Sequence, residues 1–314
     1  MNSFIYIGDI YRQMQSDNLA QLTGNSTSIL DGVIMASIEE AKSYLKGKYD
    51  TDSAFSPITQ HDKTKTYTAN KTVYLNAPAY SPTYTYAIGV QVLQSGMVYV
   101  CKTTISTPEA FTIAHWTLLG NQYDIYFANQ PQPLFDYSKF YRVNDIVFWN
   151  DKIYTCEVET PILDHQAKLN IGVQVNNPIQ NIFPDDIIKG KQYWGEGVAY
   201  NVPINTLITD TNYWTFGDNR DQKLLQICID IALYHLHCRI APRNIPELRV
   251  VRYMGEANDR INQKQRIIYP VYSALGWLQN VRNSEDITPE MNELQPKSGQ
   301  RILGSSNSKN NNFY

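Results

Sequence analysis

The apolar positions change period twice along the chain. Over residues 29–49, Leu30, Val33, Ile34, Ile38, Ala41, Tyr44 and Leu45 recur at three- and four-residue spacing with Glu39, Glu40, Lys42 and Lys46 between them. This is an amphipathic helix. Ser26, Thr27, Ser28 and Asp31 offer N-caps, and Gly47 stands where the helix should stop. Two shorter helical pieces are predicted ahead of it, within residues 5–14 and 19–22. After residue 50 the helical period is lost and Thr, Tyr, Val, Pro and Asn dominate until residue 221, which predicts strands and turns.

Helical period then returns. Leu225, Cys228, Ile229, Ala232 and Leu236 form one apolar face, and Leu224, Ile227, Ile231 and Tyr234 widen it nearly all round. Only Lys223, Gln226, Asp230 and His237 make a narrow polar stripe, so this helix must be surrounded by its own bundle or by neighbouring subunits. Asn244 and Glu247 have capping-box spacing, with Pro246 in the first turn. A further helix is predicted through Leu248, Val251, Met254, Ala257 and Ile261. Pro270 should kink or restart it, leaving Tyr272, Leu275, Leu278 and Val281 as the last apolar face. Residues 284–314 are rich in Ser, Pro, Gly and Asn and cannot build a core alone.

The resulting fold class is α+β multidomain. Segments 1–50 and 218–283 should make one discontinuous helical bundle, because neither hides its apolar stripe alone. An all-β region, 51–217, is inserted between them, and 284–314 forms an extended polar tail. Inside the insertion, Tyr86, Gly89, Val92, Tyr99 and Cys101 return as Tyr141, Asn144, Val147, Tyr154 and Cys156 at a constant offset of 55. Two related small modules are therefore expected, about 83–120 and 138–217. Gly96 and Asp151 mark their hairpin turns, Trp116 closes the first, and Trp214 closes the second after an elaborated loop at 161–207. Tyr99, Tyr154, Trp116 and Trp214 fall at core positions. Tyr84, Tyr86, Tyr123, Tyr126, Tyr137 and Trp149 are left as candidates for an interaction surface on the modules. The pattern Tyr-x-x-Gly-x-x-Val, a turn, Tyr-x-Cys and a closing Trp resembles the small β modules that bind chitin or cellulose on secreted glycoside hydrolases.

Composition narrows the function classes. With 43% hydrophobic and 18% charged residues the chain is globular, and a formal charge of −3 supplies no field for gripping nucleic acid. Twenty-three tyrosines against ten phenylalanines favour surfaces apolar in body and wet at the tip. The four cysteines lack scaffold spacing, which fits a reducing cytoplasm. No apolar stretch approaches the roughly 18 residues of a membrane span, and the start lacks signal-peptide features, so the chain is expected in the cytoplasm or released only by lysis. Cys228, His235 and Cys238 share a helix face, yet a zinc site needs a fourth ligand and none is evident. For the carboxylate pairs Asp185/Asp186 and Glu157/Glu159, spacing alone shows neither the pocket nor the perturbed environment that acid/base work needs; there is no nucleophile elbow, P-loop or dinucleotide motif, and no Cys/His nucleophile arrangement with a recognisable partner. No catalytic, cofactor or metal site is expected; the chain reads as a non-enzyme.

Set apart from the insertion, the two ends resemble a known family. Residues 6–10, the turn Leu19, Ala20, Gln21, Leu22, Thr23, and Ala41, Tyr44, Leu45, Gly47 and Tyr49 are similar to the opening of Mu-like phage head–tail adaptor proteins. Residues 230–236, then Pro246, Glu247, Arg252 and Tyr253, then Ala274, Trp277, Leu278 and Val281, are similar to that family's closing helices. The family joins these halves by a short hairpin or loop, where this chain has its long β insertion. The resemblance implies a virion protein assembled in the host cytoplasm: a ring, commonly of about twelve subunits, docked under the portal and extending the DNA channel without sequence-specific binding or membrane contact. Large β insertions and a long polar tail fit an elaborate podovirus such as the crAss-like phages.

Leu224, Ile227, Ile231 and Tyr234 would then pack laterally between subunits. Arg249, Arg252 and Arg260 would meet carboxylates across them, with plain solvated charge as the alternative. The tail, ending in Phe313 and Tyr314, would staple the ring to the portal, and the modules would offer a platform for tail or collar proteins. The competing expectation is a glycan-binding virion or adhesion protein that uses the duplicated modules.

Overall fold

The structure is a computed structural model, and it describes residues 3–136, 139–160, 183–186, 190–240, 244–263 and 266–283. It contains both helices and several β sheets, and the chain divides into two compact units, residues 1–58 with 220–314, and residues 59–219.

The first unit is helical. Helices α1 (Ile7–Tyr11), α2 (Ser16–Thr23), α3 (Thr27–Leu45) and α4 (Thr51–Ala54) come from the start of the chain; α5 (Gln222–Ile240), α6 (Glu247–Met254) and α7 (Ala274–Asn283) come from its end. One hydrophobic core joins both sets: Leu30, Val33, Ile34, Ile38, Ala41 and Leu45 of α3 pack with Leu224, Ile227, Cys228, Ile231 and Leu236 of α5 and with Leu275, Leu278 and Val281 of α7. The nearly all-round apolar α5 is thus covered by helices of its own chain, as its pattern requires. Arg220, where the chain re-enters this unit, forks onto Asp9 at 2.9 and 3.0 Å and donates to the Phe4 carbonyl at 2.6 Å.

The helix expected to run on to Ile261 stops at Met254. Gly255 adopts φ +76°, and a Cβ there would lie 2.1 Å from Cγ of Pro270, so the chain must turn at a glycine. Ile261 instead belongs to a two-stranded antiparallel ribbon, β11 (Ile261–Gln263) with β12 (Arg266–Ile268). The capping box expected at Asn244 is absent: α6 is preceded by Pro246 with no side-chain cap.

The second unit is built from strands: β1 (Thr59–Gln60), β2 (Thr72–Tyr74), β3 (Gln91–Gln94), β4 (Met97–Cys101), β5 (Trp116–Asn121), β6 (Ile125–Ala128), β7 (Ile146–Trp149), β8 (Lys152–Thr155), β9 (Val198–Ala199) and β10 (Trp214–Phe216). They form sheets in the orders β1-β2-β6-β10, β3-β4-β5 and β7-β8-β9. The β3–β4 and β7–β8 hairpins turn through Ser95–Gly96 and Asn150–Asp151, all four with positive φ, the geometry that matches strand twist.

Three modules, not two, share one plan. In each, a tyrosine hydroxyl (Tyr67, Tyr86, Tyr141) accepts from the backbone N–H five residues upstream, at 2.6, 2.8 and 2.6 Å, and donates to the same residue's carbonyl. Three residues beyond the tyrosine, Asn70, Gly89 and Asn144 take positive φ and donate to the carbonyls of Ala128, Cys101 and Cys156. A tryptophan then closes each module edge-on against its tyrosine: Trp214 on Tyr67 at 5.3 Å, Trp116 on Tyr86 at 5.3 Å, Trp194 on Tyr141 at 5.1 Å. Stacked on each tyrosine is a third ring, His61, Tyr80 or Phe135.

This corrects the expected boundaries. The second duplicated unit closes at Trp194, the indole that reaches Tyr141 among the described residues. Trp214 belongs to an outer module made of β1, β2, β6 and β10, which the two-module expectation lacks. The module containing β3–β5 sits inside the β2–β6 hairpin of this outer module, and the one containing β7–β9 sits between β6 and β10.

Candidate interaction surfaces

Four of the residues expected between subunits lie inside the first unit. Leu224, Ile227 and Ile231 are fully buried in the core, and Tyr234 packs against it and stacks on Tyr253 with ring centroids 4.0 Å apart. The correction has a plain cause: the apolar girdle of α5 is consumed by α3, α2, α6 and α7, so it does not require a neighbouring chain.

The polar contacts of α5 form a cluster. Glu40 of α3 bonds His235 Nε2 at 2.6 Å through one carboxylate oxygen and accepts from the Tyr253 hydroxyl at 2.7 Å through the other. Burial pushes this carboxyl up, but the hydrogen bonds from His235 and Tyr253 outweigh it and hold Glu40 below its ordinary range. Burial, and then the bond to Glu40, push the Tyr253 phenol well up, while burial followed by Cys238 pushes Tyr234 up to about 12. Both tyrosines therefore stay protonated at any physiological pH, and Glu40, through its bonds to His235 of α5 and Tyr253 of α6, ties α3, α5 and α6 together. Cys228 lies in the core, with burial raising its thiol far above the ordinary value, and Cys238 is half-buried. Among the described residues no group of three or more His, Cys, Asp or Glu side chains is placed to hold a metal ion.

The arginines have different fates. Arg252 lies 3.5 Å from Asp230 across α5 and α6, and Arg260 donates to the carbonyls of Met254 and Gly255, stabilising the turn after α6. Arg249 keeps Nη1 buried without a hydrogen-bond acceptor among the described residues; burial, and then the Arg252 charge, push its guanidinium below the ordinary value. Around this basic set, Leu248 of α6, Ile261, Ile267 and Ile268 of the ribbon, and Val271 and Tyr272 beyond it are exposed. None of these is among the interface residues expected from the sequence; the signal for this surface is the turn forced at Gly255, which ends the helical period early.

On the modules, Tyr84 is well exposed, whereas Tyr86 and Tyr126 are buried and belong to module cores. Tyr86 is one of the three hydroxyl-anchored tyrosines, and Tyr126 holds the β4 and β8 tyrosine position in the outer module. Trp149 is half-buried and donates to Asp185 at 3.0 Å, and Tyr123 is half-exposed at φ +71°. Tyr137, Phe313 and Tyr314 lie outside the described residues. The carboxylate pairs gain no chemistry: Asp185 is taken up by Trp149 and Asn150, and Glu157 lies against Gly195. A groove of about 510 Å³ is lined by residues 60–65, 76–78 and 88–91, with polar and apolar side chains mixed along its walls. Its Asp62, Asn76 and Gln60 are engaged with neighbours in the same unit.

Compared with known protein families and with curated proteins, the sequence matches none. No helix among the described residues is long and apolar enough to cross a membrane.

Proposed function

We propose that this chain is a structural virion protein, a head–tail adaptor that assembles with copies of itself into a ring on the portal, extends the DNA channel and offers its modules to tail or collar proteins. One observation carries the reading: among the described residues the helical unit completes its core internally, yet leaves the β11–β12 ribbon joined to no other strand and the flanking Leu248, Val271 and Tyr272 exposed. Exposed apolar groups rimmed by charge mark a surface made for another protein.

Two further features support it. The discontinuous bundle, with its closing helices returning after a long insertion, has the order of elements on which the adaptor resemblance rests. A formal charge of −3 suits a channel through which DNA slides without being gripped. The glycan-binding alternative draws less support, since Tyr86 and Tyr126 stand in module cores and cannot stack on a sugar ring.

Negative-stain imaging of the purified full-length protein, alone and mixed with the portal of the same virion, tests the proposal. Annuli, or rings bound to portal particles, are the expected result. A chain that stays monomeric at high concentration and leaves the portal undecorated would overturn it.

A further inference from the structure

Among the described residues the helical unit exposes two unlike faces. One is the ribbon β11–β12, whose strands pair with no other described strand. Ile261 and Ile268 are cross-strand partners on one side of it and Ile267 points to the other, with Ile261 55% and Ile267 44% exposed. A two-stranded ribbon is marginal by itself, and its open edges and bare isoleucines are satisfied by a second surface. The other face is the outside of α3, where Ser28, Gly32, Met35, Ala36, Glu39 and Ser43 recur at three- and four-residue spacing and are all exposed. Apart from Met35 and Glu39 its side chains are small, a Cβ built on Gly32 meets nothing within 4 Å, and Met35 at 52% exposure supplies an apolar centre.

Charge decides which surface meets which. Residues 1–58 hold seven acidic against four basic side chains, of which Asp9 and Glu40 are engaged inside the unit, whereas residues 220–283 hold ten basic against five acidic, of which Arg220 is buried on Asp9 and Arg252 lies beside Asp230. Two ribbons meeting symmetrically would bring the surroundings of Arg252 and Arg260 against their own copies, like charge on like. A ribbon laid on α3 of another copy sets those arginines toward Asp31 and the 70% exposed side chain of Glu39, with isoleucine against Met35.

We propose that the β11–β12 ribbon and α6 of one copy pack on the outer face of α3 of the next, a head-to-tail contact between copies of this chain. It rests on the adaptor reading and names the two faces that reading requires. Because the contact is heterologous, each copy keeps one free face of each kind, and repetition gives a ring when the rotation from copy to copy closes.

The test uses two full-length double variants, free and with portal particles, followed by sedimentation velocity. Met35→Arg/Glu39→Arg disables the α3 face; Ile261→Gln/Ile268→Gln disables the ribbon. Each is expected to stay monomeric, while an equimolar mixture forms dimers of twice the 36.0 kDa chain and nothing larger, because one intact ribbon meets one intact α3 face. That rescue also shows both variants to be folded. If either variant assembles as the parent does, or the mixture stays monomeric while the parent forms rings, this pairing is overturned and the adaptor reading stands. A parent chain that never assembles, even on portal particles, sinks the adaptor reading itself.

Discussion

At the scale of single residues, the third ring of each module shows how one position takes different side chains at different cost. Tyr80 and Phe135 fill it in the inner modules, and Tyr80 satisfies its hydroxyl on the Glu109 carbonyl. In the outer module His61 fills it, 5.8 Å from Tyr67 and 5.2 Å from Trp214, with both ring nitrogens buried and unpartnered among the described residues. Burial lowers its pKa to about 4, against a weak opposing pull from Asp62. The unfolded chain, titrating at the ordinary histidine value near 6.5, then binds a proton that the folded chain refuses. Stability is therefore full above that pH and is lost as pH falls toward 4, by on the order of 3 kcal/mol. His61→Phe should remove this acid sensitivity: urea unfolding of the second unit at pH 7.5 and pH 4.5 should differ by less than in the parent. An unchanged difference would mean that the imidazole is not what titrates. This residue was invisible as a module ring because the Tyr67-x-x-Asn70-x-x-Val73 run lies 53 residues from its completing Tyr126-x-Ala128.

At the scale of elements, short pieces persist because they are clamped. Helix α1 has five residues, too few to stand alone. Asp9 accepts from the Tyr6 N–H at the helix start and from both guanidinium nitrogens of Arg220, with both side chains almost wholly buried. Removing one member of such a pair strands the other charge, at a cost of about 3–5 kcal/mol, more than the pair itself contributes. Asp9→Asn should lower the unfolding free energy of the helical unit by about that amount. Adding Arg220→Met should restore part of it, because the orphaned cation is gone. A single variant within about 1 kcal/mol of the parent would show that the pair is not truly desolvated. Periodicity revealed α3, α5 and α7 well, since each presents a long stripe to one core. It misplaced α6, because Gly255 and Pro270 decide its end through a contact made by residues fifteen apart.

At the scale of the whole molecule, nesting is the main result, and it is testable by excision. The outer module needs only two residues between positions 129 and 202, since Lys102 and Ile105, and Glu157 and Thr160, hold the equivalent places in the inner modules. The core of the β7–β9 module, Tyr141, Val147, Tyr154, Cys156 and Trp194, contains no outer-module residue. Replacing residues 130–201 by Thr-Thr should therefore leave β1, β2, β6 and β10 paired, with the β6–β10 register of Trp214 to Ala128 intact by nuclear magnetic resonance. Collapse of the Tyr67–Trp214 contacts in that deletion would show the modules to be one cooperative body instead. That helix flanks a β-rich insertion, that the two ends need each other and that a tyrosine–tryptophan plan is repeated can all be read along the chain, because period, polarity and local repeats are properties of neighbouring residues. Which tryptophan closes which module, the insertion of the other two copies within a third, and the covering of the greasiest helix from within while a late ribbon is left exposed among the described residues emerge in the folded chain. Those outcomes depend on contacts between residues far apart in the chain, where spacing carries no information about which of several chemically equivalent partners arrives.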